Sequence, residues 1–286
     1  MKITSLFCLL ATTVVCAAQA KPVRDLVVDL AANDPAARAR AACALKEHGD
    51  AAADAVEPLV RLLGDASPVD ETVCHERSRR DDDEKTTPGE LAAAALVGIG
   101  TRTVPPLIAV LQQPSWIARR NAAWALGALD DPRGVAPVTA ALRDREPGVR
   151  EQAAWALGAM DASPAVPGLV AALKDPDDRV RKQAAWALGA IDDKAAVDGL
   201  VAALRDESKD VRKQSAWALG AISDPAAVEG LAGALRDTDS DVREQSAWAL
   251  GAIGDPRASP GLVAALKDPQ AGVRRQAAWA LGVIRR

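Results

Sequence analysis

Tyrosine is absent from the 286 residues, and the single phenylalanine, Phe7, falls within the first twenty. Tryptophan is therefore the only large aromatic in the rest of the chain. Histidine occurs twice and cysteine four times, too few for a metal site built from several facing ligands. No phosphate-binding glycine loop, no GxGxxG ahead of a helix and no Ser-His-Asp order is present. No catalytic residue, metal ligand or cofactor is therefore assigned. Basic residues do not outnumber acidic ones, 35 against 39 for a net charge of −4, which disfavours nucleic acid as a partner. Beyond the first twenty residues no apolar run is long enough to cross a bilayer.

What is present begins with "MKITSLFCLLATTVVCAAQA", residues 1–20. A basic start at Lys2, an apolar run and Ala18-Gln19-Ala20 read as a secretory signal peptide cleaved before Lys21. Lipidation at Cys16 is disfavoured, because Val15 stands where a small residue is needed. The expectation is an exported protein, periplasmic or secreted, with no membrane insertion after cleavage. Loss of Lys2 leaves 34 basic against 39 acidic residues. Cys8 and Cys16 leave with the leader, so Cys43 and Cys74 remain as an even pair in an oxidising compartment. They are either one disulfide, worth about 3 kcal/mol in the chain-entropy model, or two free thiols.

The remainder, 21–286, repeats itself. Trp124, Trp155, Trp186, Trp217, Trp248 and Trp279 lie 31 residues apart, each followed three positions later by glycine, as at Gly127 and Gly189. Six residues before five of them stands a valine, from Val149 to Val273. In one unit Val180, Ala184, Ala187, Leu188 and Ile191 share a stripe at helical spacing. Gly189 and Asp192-Asp193 read as the end of that first helix. A second helix starts at Asp224 as cap and Pro225 as first residue, with Val228, Leu231 and Leu235 as its apolar face. Neither helix can bury its stripe alone, so the units stack into an all-α solenoid of about seven to eight repeats.

Towards the N-terminus the register drifts. "DLVVDLAANDP" reads as a lone second helix that caps the array, "AACAL" at 41–45 puts Cys43 in the tryptophan position, and "AAAAL" at 92–96 puts Ala94 there. Between these two units residues 67–89 form a charged insertion without periodicity, read as a loop. The expected inventory is eight first helices, seven second helices and the cap. The last unit stops after its first helix without becoming more polar. That helix either simply covers the previous unit or offers an apolar end for end-to-end self-association.

The string "VRxQAAWALGAIxDPxAVxGLVAAL", carried by 149–173, 180–204 and 211–235, resembles the HEAT repeat, in the short form named after the phycobilisome lyases. The resemblance is strong from about residue 115 to 286 and weaker from 25 to 114. It implies a ladder in which Arg150, Arg181, Arg212, Arg243 and Arg274 pair with turn aspartates Asp131, Asp193, Asp224 and Asp255, with a gap at Ala162. It also implies that the first helices line the concave face. His75-Glu76 is similar to the His-Glu pairs of the HEAT-repeat hydroxylase acting on deoxyhypusine, but that chemistry needs several pairs and here there is one, in a loop.

On a wheel of about 100° per residue, Trp186 falls about 240° from Val180, off the apolar stripe and between Lys182 and Gln183. The candidate partner-binding face is thus Trp124, Trp155, Trp186, Trp217, Trp248 and Trp279 with Asn121, Gln152, Gln183, Gln214, Gln245 and Gln276. Small residues follow four positions after each indole, and the charged position varies in sign, which argues against a phosphate track. An amide beside an indole slot suits an extended peptide. The competing reading is that each indole only packs one unit against the next. Function is accordingly read as a non-catalytic binding scaffold for a protein or peptide. The alternatives are an adaptor acting through the insertion or the open C-terminal end, and a lyase-like accessory to a cofactor-bearing partner.

Overall fold

In a computed structural model, which describes residues 21–70, 73–74 and 86–284, the chain forms sixteen α-helices among the described residues. The first helices of successive units are α2 (Pro35–His48), α4 (Pro88–Ile99), α6 (Trp116–Leu129), α8 (Pro147–Ala159), α10 (Asp178–Ile191), α12 (Lys209–Ile222), α14 (Ser240–Ile253) and α16 (Ala271–Ile284). The second helices are α3 (Val56–Leu62), α5 (Val104–Val110), α7 (Val135–Ala141), α9 (Val166–Ala172), α11 (Val197–Ala203), α13 (Val228–Ala234) and α15 (Ser259–Ala265). The short helix α1 (Val23–Asp29) precedes them and packs on α2. This is an α-solenoid with the expected helix inventory. The leader-like segment 1–20 and most of the insertion, residues 71–72 and 75–85, lie outside the described residues. Helix α4 begins inside the stretch read as insertion: Thr87 caps it, Pro88 opens it, and Thr87 and Glu90 form a reciprocal capping box.

One unit shows how the local sequence dictates the turns. The Asp177 carboxylate accepts the Arg179 N–H at 3.0 Å and opens α10. Val180, Ala184, Ala187 and Leu188 are fully buried along the stripe. Asp192 then takes a left-handed conformation, φ 56°, which a short polar side chain tolerates better than most. Asp130, Asp161 and Ser223 do the same in their units, and Gly254 does so at φ 71°. Asp193 next accepts the Ala195 N–H at 2.9 Å and starts a 3-10 turn that leads into α11. The proline-initiated second helix expected at Pro225 likewise begins as a 3-10 turn, Pro225–Ala227, before α13.

Gly189 does not end its helix, as expected from sequence; α10 continues to Ile191. Its role is between units. A Cβ at Gly189 would sit 2.8 Å from the Ala218 Cα and 2.7 Å from the Trp217 Cζ3 of the next unit. The same holds at Gly127, Gly158, Gly220 and Gly251, each with the following tryptophan and alanine within 3.1 Å or less. First helices therefore meet almost backbone to backbone. Second helices touch through larger side chains, such as Val170 and Leu173 against Gly199, and from α5 onward consecutive ones do not closely approach.

A charge ladder ties the turns together, but with other aspartates than the resemblance implies. Arg119 pairs with Asp144, Arg150 with Asp175, Arg181 with Asp206, Arg212 with Asp237 and Arg243 with Asp268, at 2.7–2.8 Å. Each carboxylate belongs to the turn before the next first helix. Arg181 also donates Nη1 to the Asp175 and Pro176 carbonyls of the turn before its own helix. One guanidinium thus clamps two successive turns. Asp131, Asp193, Asp224 and Asp255 instead cap the 3-10 turns. Ala162 therefore makes no gap in the ladder, since Arg150 keeps Asp175; what is lost there is the turn cap. The break falls at the second unit, where Gly89 and Gln113 stand in the arginine and aspartate positions. There Asn121 Nδ2 donates to the Leu63 carbonyl at 2.9 Å and Gly89 N–H to the Asp65 carbonyl at 3.0 Å. Among the described residues Arg274 meets only the Asp268 and Pro269 carbonyls.

Burial pushes the carboxyls of Asp144 and Asp237 up, but hydrogen bonds from their arginines and from backbone amides outweigh it and hold both below the usual range. At Asp268 the Arg243 hydrogen bond dominates, with the same direction.

Three outcomes follow for stability. Gly189→Ala should destabilise by about 1–3 kcal/mol in denaturant unfolding, because the overpacking exceeds the gain in helix propensity of about 1 kcal/mol; Gly282→Ala, with nothing within 4 Å of its Cβ, should be neutral or mildly stabilising. Arg181→Met, which strands a carboxylate 11 % exposed, should cost about 3 kcal/mol. Because folding depresses the carboxyls of Asp144, Asp237 and Asp268, the unfolded chain binds more protons in acid. The melting temperature should hold between pH 7 and 5 and fall below about pH 4, the ordinary carboxyl range, and Arg243→Gln should shallow that acid slope.

Candidate functional site

The indoles are positioned by their helices and by the glycines of the preceding unit. Trp124, Trp155, Trp186, Trp217 and Trp248 are half-buried, and Trp279 is 45 % exposed. From Trp155 onward the Cζ3 edge of each ring leans on the glycine one unit back. Trp124 lacks that partner, because Val97 holds the glycine position of α4; its ring stacks on Trp155 with centroids 6.4 Å apart. Packing thus occupies one edge of the indoles and leaves the rest partly open.

The amides divide. Gln152, Gln183, Gln214, Gln245 and Gln276 are half-buried, and none donates to or accepts from another described side chain or backbone group in the structure. Asn121 is different: it is 4 % exposed and spends its amide on Leu63. It belongs to the inter-unit packing, not to an open face, since its shorter side chain reaches inward where the glutamines do not.

Around the indoles Ala128, Ala159, Ala190 and Ala252 are exposed, as is Val283 at the last unit. Of the charged positions, Arg120 pairs with Glu90 at 2.9 Å, Lys213 with Asp241 at 3.1 Å and Arg275 with Glu244 at 3.4 Å. Lys182 is exposed. Burial pushes the Glu151 carboxyl up, against the pull of Arg179, Lys182 and Arg120. The surface is therefore a stripe of indole edges and unspent amides between charges of both signs.

One aromatic escaped the periodic reading. Trp116, the seventh tryptophan, starts α6 at 41 % exposure, and the Arg120 guanidinium lies 5.8 Å from its ring centre. Falling outside the 31-residue spacing, it carried no signal except its size and its place at a helix start.

At the other end of the array Cys43 and Cys74 are bonded, with Cα atoms 6.2 Å apart. Cys43 stands on α2 where later units carry tryptophan, so the insertion is fastened to the first unit of the same helix row. The Val69 N–H donates to the Thr86 carbonyl at 2.9 Å and draws the two ends of the insertion together. Among the described residues no group of three or more His, Cys, Asp or Glu is placed to hold a metal ion. His48 Nε2 lies 3.1 Å from the Lys21 carbonyl, and His75 is outside the described residues. No described helix is by itself long and apolar enough to cross a membrane.

Comparison with known proteins bears on this architecture. None of the curated proteins matches the sequence. The structure is similar to that of Escherichia coli YibA, at 20 % identity and a TM-score of 0.62 over 93 % of each chain. It is also similar to an engineered protein, at 24 % and 0.52 over 92 % of this chain and 89 % of that one. A designed armadillo-repeat protein in complex with the peptide (KR)4 matches 63 % of this chain and 99 % of its own, at 21 % and 0.52. At such identities the likeness is one of fold alone. The family model for HEAT repeats matches residues 78–145, 104–179, 135–216 and 197–282. With that match running over most of the array, and with paired helices and an arginine ladder repeating in step, the chain belongs to the HEAT-repeat family.

Proposed function

We propose that the protein is an exported scaffold whose first-helix row binds an extended segment of a partner protein. The observation that carries the reading is the row of five glutamine amides, half-buried beside indole edges and spent on nothing among the described residues. Groups that fold the protein are already paired, whereas these remain for a ligand. Shape supports it: first helices meet closely through glycine and alanine, second helices stand further apart with valine and leucine against a glycine, and in a stacked array the more closely spaced row lies on the inside of the curve.

Spacing supports it too. Helices packed about 8–10 Å apart match three residues of an extended chain rising about 3.3 Å each, so a bound peptide keeps step with the units. An extended segment can pair its main chain with the amides and insert side chains beside the indoles, and tryptophan is favoured at binding hot spots. The designed armadillo protein of similar fold holds an all-basic peptide. The present row mixes Glu151 and Glu244 with Lys182 and Lys213 and suits a segment of mixed charge instead. Export is supported by the leader-like residues 1–20 and by the Cys43–Cys74 bond, which oxidising compartments sustain.

A library of random extended peptides panned against the chain provides the test. Selected peptides should lose about tenfold or more in affinity to the double variant Gln183→Ala, Gln214→Ala, two hydrogen bonds at roughly 1 kcal/mol each. The melting temperature should not move, because these amides hold nothing in the fold. Peptides that bind the double variant unchanged would place recognition elsewhere. Export is checked separately: protein recovered from the cell envelope should begin at Lys21.

A further inference from the structure

The first-helix row is rich in hydrogen-bond donors that the fold leaves open. From Trp124 to Trp248 no indole N–H donates to a described group, yet no buried side-chain nitrogen or oxygen lacks a partner. These N–H groups therefore reach the surface. The glutamine amides beside them are open on the same grounds. Each unit thus presents an indole, which can only donate, and an amide with two donor hydrogens. Trp124 and Trp155 stack, but no further pair along the row does so among the described residues. Ala159, Ala190 and Ala252 lie exposed beside the later rings, which leaves the intervals between those rings unfilled.

We propose, resting on the reading that this row binds a partner segment, that the segment is a polyproline II strand with proline at every third position. Register selects it. Gly189 and Ala218 meet almost backbone to backbone, so with a Cα radius of about 2.3 Å the first-helix axes stand roughly 8–9 Å apart. A β-strand returns to the same face every two residues, after about 6.7 Å, and at three residues a unit it turns successive side chains to opposite sides. Polyproline II has three residues per turn at about 3.1 Å each, so the same face returns after about 9.3 Å. It keeps within about 1 Å of each unit, whereas a strand falls short by about 2 Å.

Hydrogen bonding selects the same occupant. Polyproline II makes no internal hydrogen bonds, so its carbonyls are free, and proline brings no N–H. A segment made of acceptors meets a row made of donors. Proline-rich segments dock aromatic-lined grooves in this conformation, and here each proline ring takes the interval beside an indole. Charge then fixes the placing. Arg120, Lys213 and Arg275 are paired within the chain. Glu151 and Lys182, on neighbouring units, form no ion pair among the described residues. The segment accordingly carries a cation and an anion three residues apart, between its prolines.

The test uses the 286-residue chain and three fluorescein-labelled peptides of fifteen residues. One is five Pro-Ala-Ala triplets, with lysine for the first alanine of the second triplet and glutamate for the first alanine of the third. Another has the same residues with its prolines unevenly spaced. The last alternates valine and threonine and keeps the lysine and the glutamate. Fluorescence anisotropy should show the triplet peptide binding at least tenfold more tightly than either control. Ala190→Leu fills the interval beside Trp186 from an exposed position, so its melting temperature should match the parent while the triplet peptide loses at least tenfold. Lys182→Glu should weaken that peptide as well, and a triplet peptide with lysine in both charged places should recover part of the loss. Equal binding of either control, or unchanged affinity for Ala190→Leu, overturns the inference and leaves segment binding standing. Absence of binding by all three peptides overturns it too, and the wider reading falls with it only if no library peptide binds either.

Discussion

The contact on which the rest of the solenoid depends is the approach of one first helix to the next at a mid-helix glycine. A glycine inside a helix costs about 1 kcal/mol against alanine, and this chain places one there in six consecutive units. The return is that Ala218 comes almost onto the backbone of Gly189, with the Trp217 ring edge laid beside it. First helices meet at glycine and alanine and run close together along their length, whereas second helices set valine and leucine against a single glycine and stay further apart. The two sides of each unit are therefore unequal in thickness, which is the condition for a stacked array to curve.

The arginine ladder does a different job. Each guanidinium is 6–13 % exposed and each carboxylate 8–12 %, so the desolvation cost offsets much of the attraction, and such pairs are weak contributors to net stability. What they fix is register. Nearest-neighbour stacking of near-identical units would tolerate a slip of one unit, or a slide along the helix axis, at little cost in apolar area. An arginine that must reach two particular turns does not. Where the ladder breaks, at Gly89 and Gln113, other ties appear. Asn121 bonds Leu63, a capping box opens α4, and a disulfide lies nearby. The first unit keeps the repeated rule, with Arg38 paired to Asp65 at 2.7 Å and bonded to the Ala32 and Asn33 carbonyls; only the second is held by individual contacts.

Periodicity made the helix pairs, their number and the buried stripe legible, because an apolar face repeated every 31 residues has only one way to be buried. Pairings were less legible. From α6 to α15 the units carry aspartates in both of their turns, and sequence alone does not say which turn an arginine faces; the arginine side chain pairs with the aspartate before the next first helix. Gly189 read as a helix end, since glycine often is one, whereas its reason lies on a neighbouring helix and has no trace in its own segment. Asn121 aligned with the glutamines but is one methylene shorter and turns inward. Trp116 stood outside the repeat and so outside the argument. Local pattern shows what a residue is beside in its own helix, not what it meets in the next.

The indoles answer two demands at once, and this shapes what a binding surface here can be. One edge is fixed against the preceding glycine, so the ring arrives at the surface already immobilised, with its rotamer settled by folding. Ligand binding then need not pay to order it, which is the usual cost of a large side chain at an interface. The glutamines carry the opposite balance: unspent among the described residues, they would be ordered by the segment proposed to bind there. On the proposed peptide-binding reading, such a scaffold draws rigidity from its tryptophans and selectivity from its amides and charges. The rigid part must repeat from unit to unit because the stacking does. The selective part is free to vary, and along this row it is the charged position next to each glutamine that changes sign.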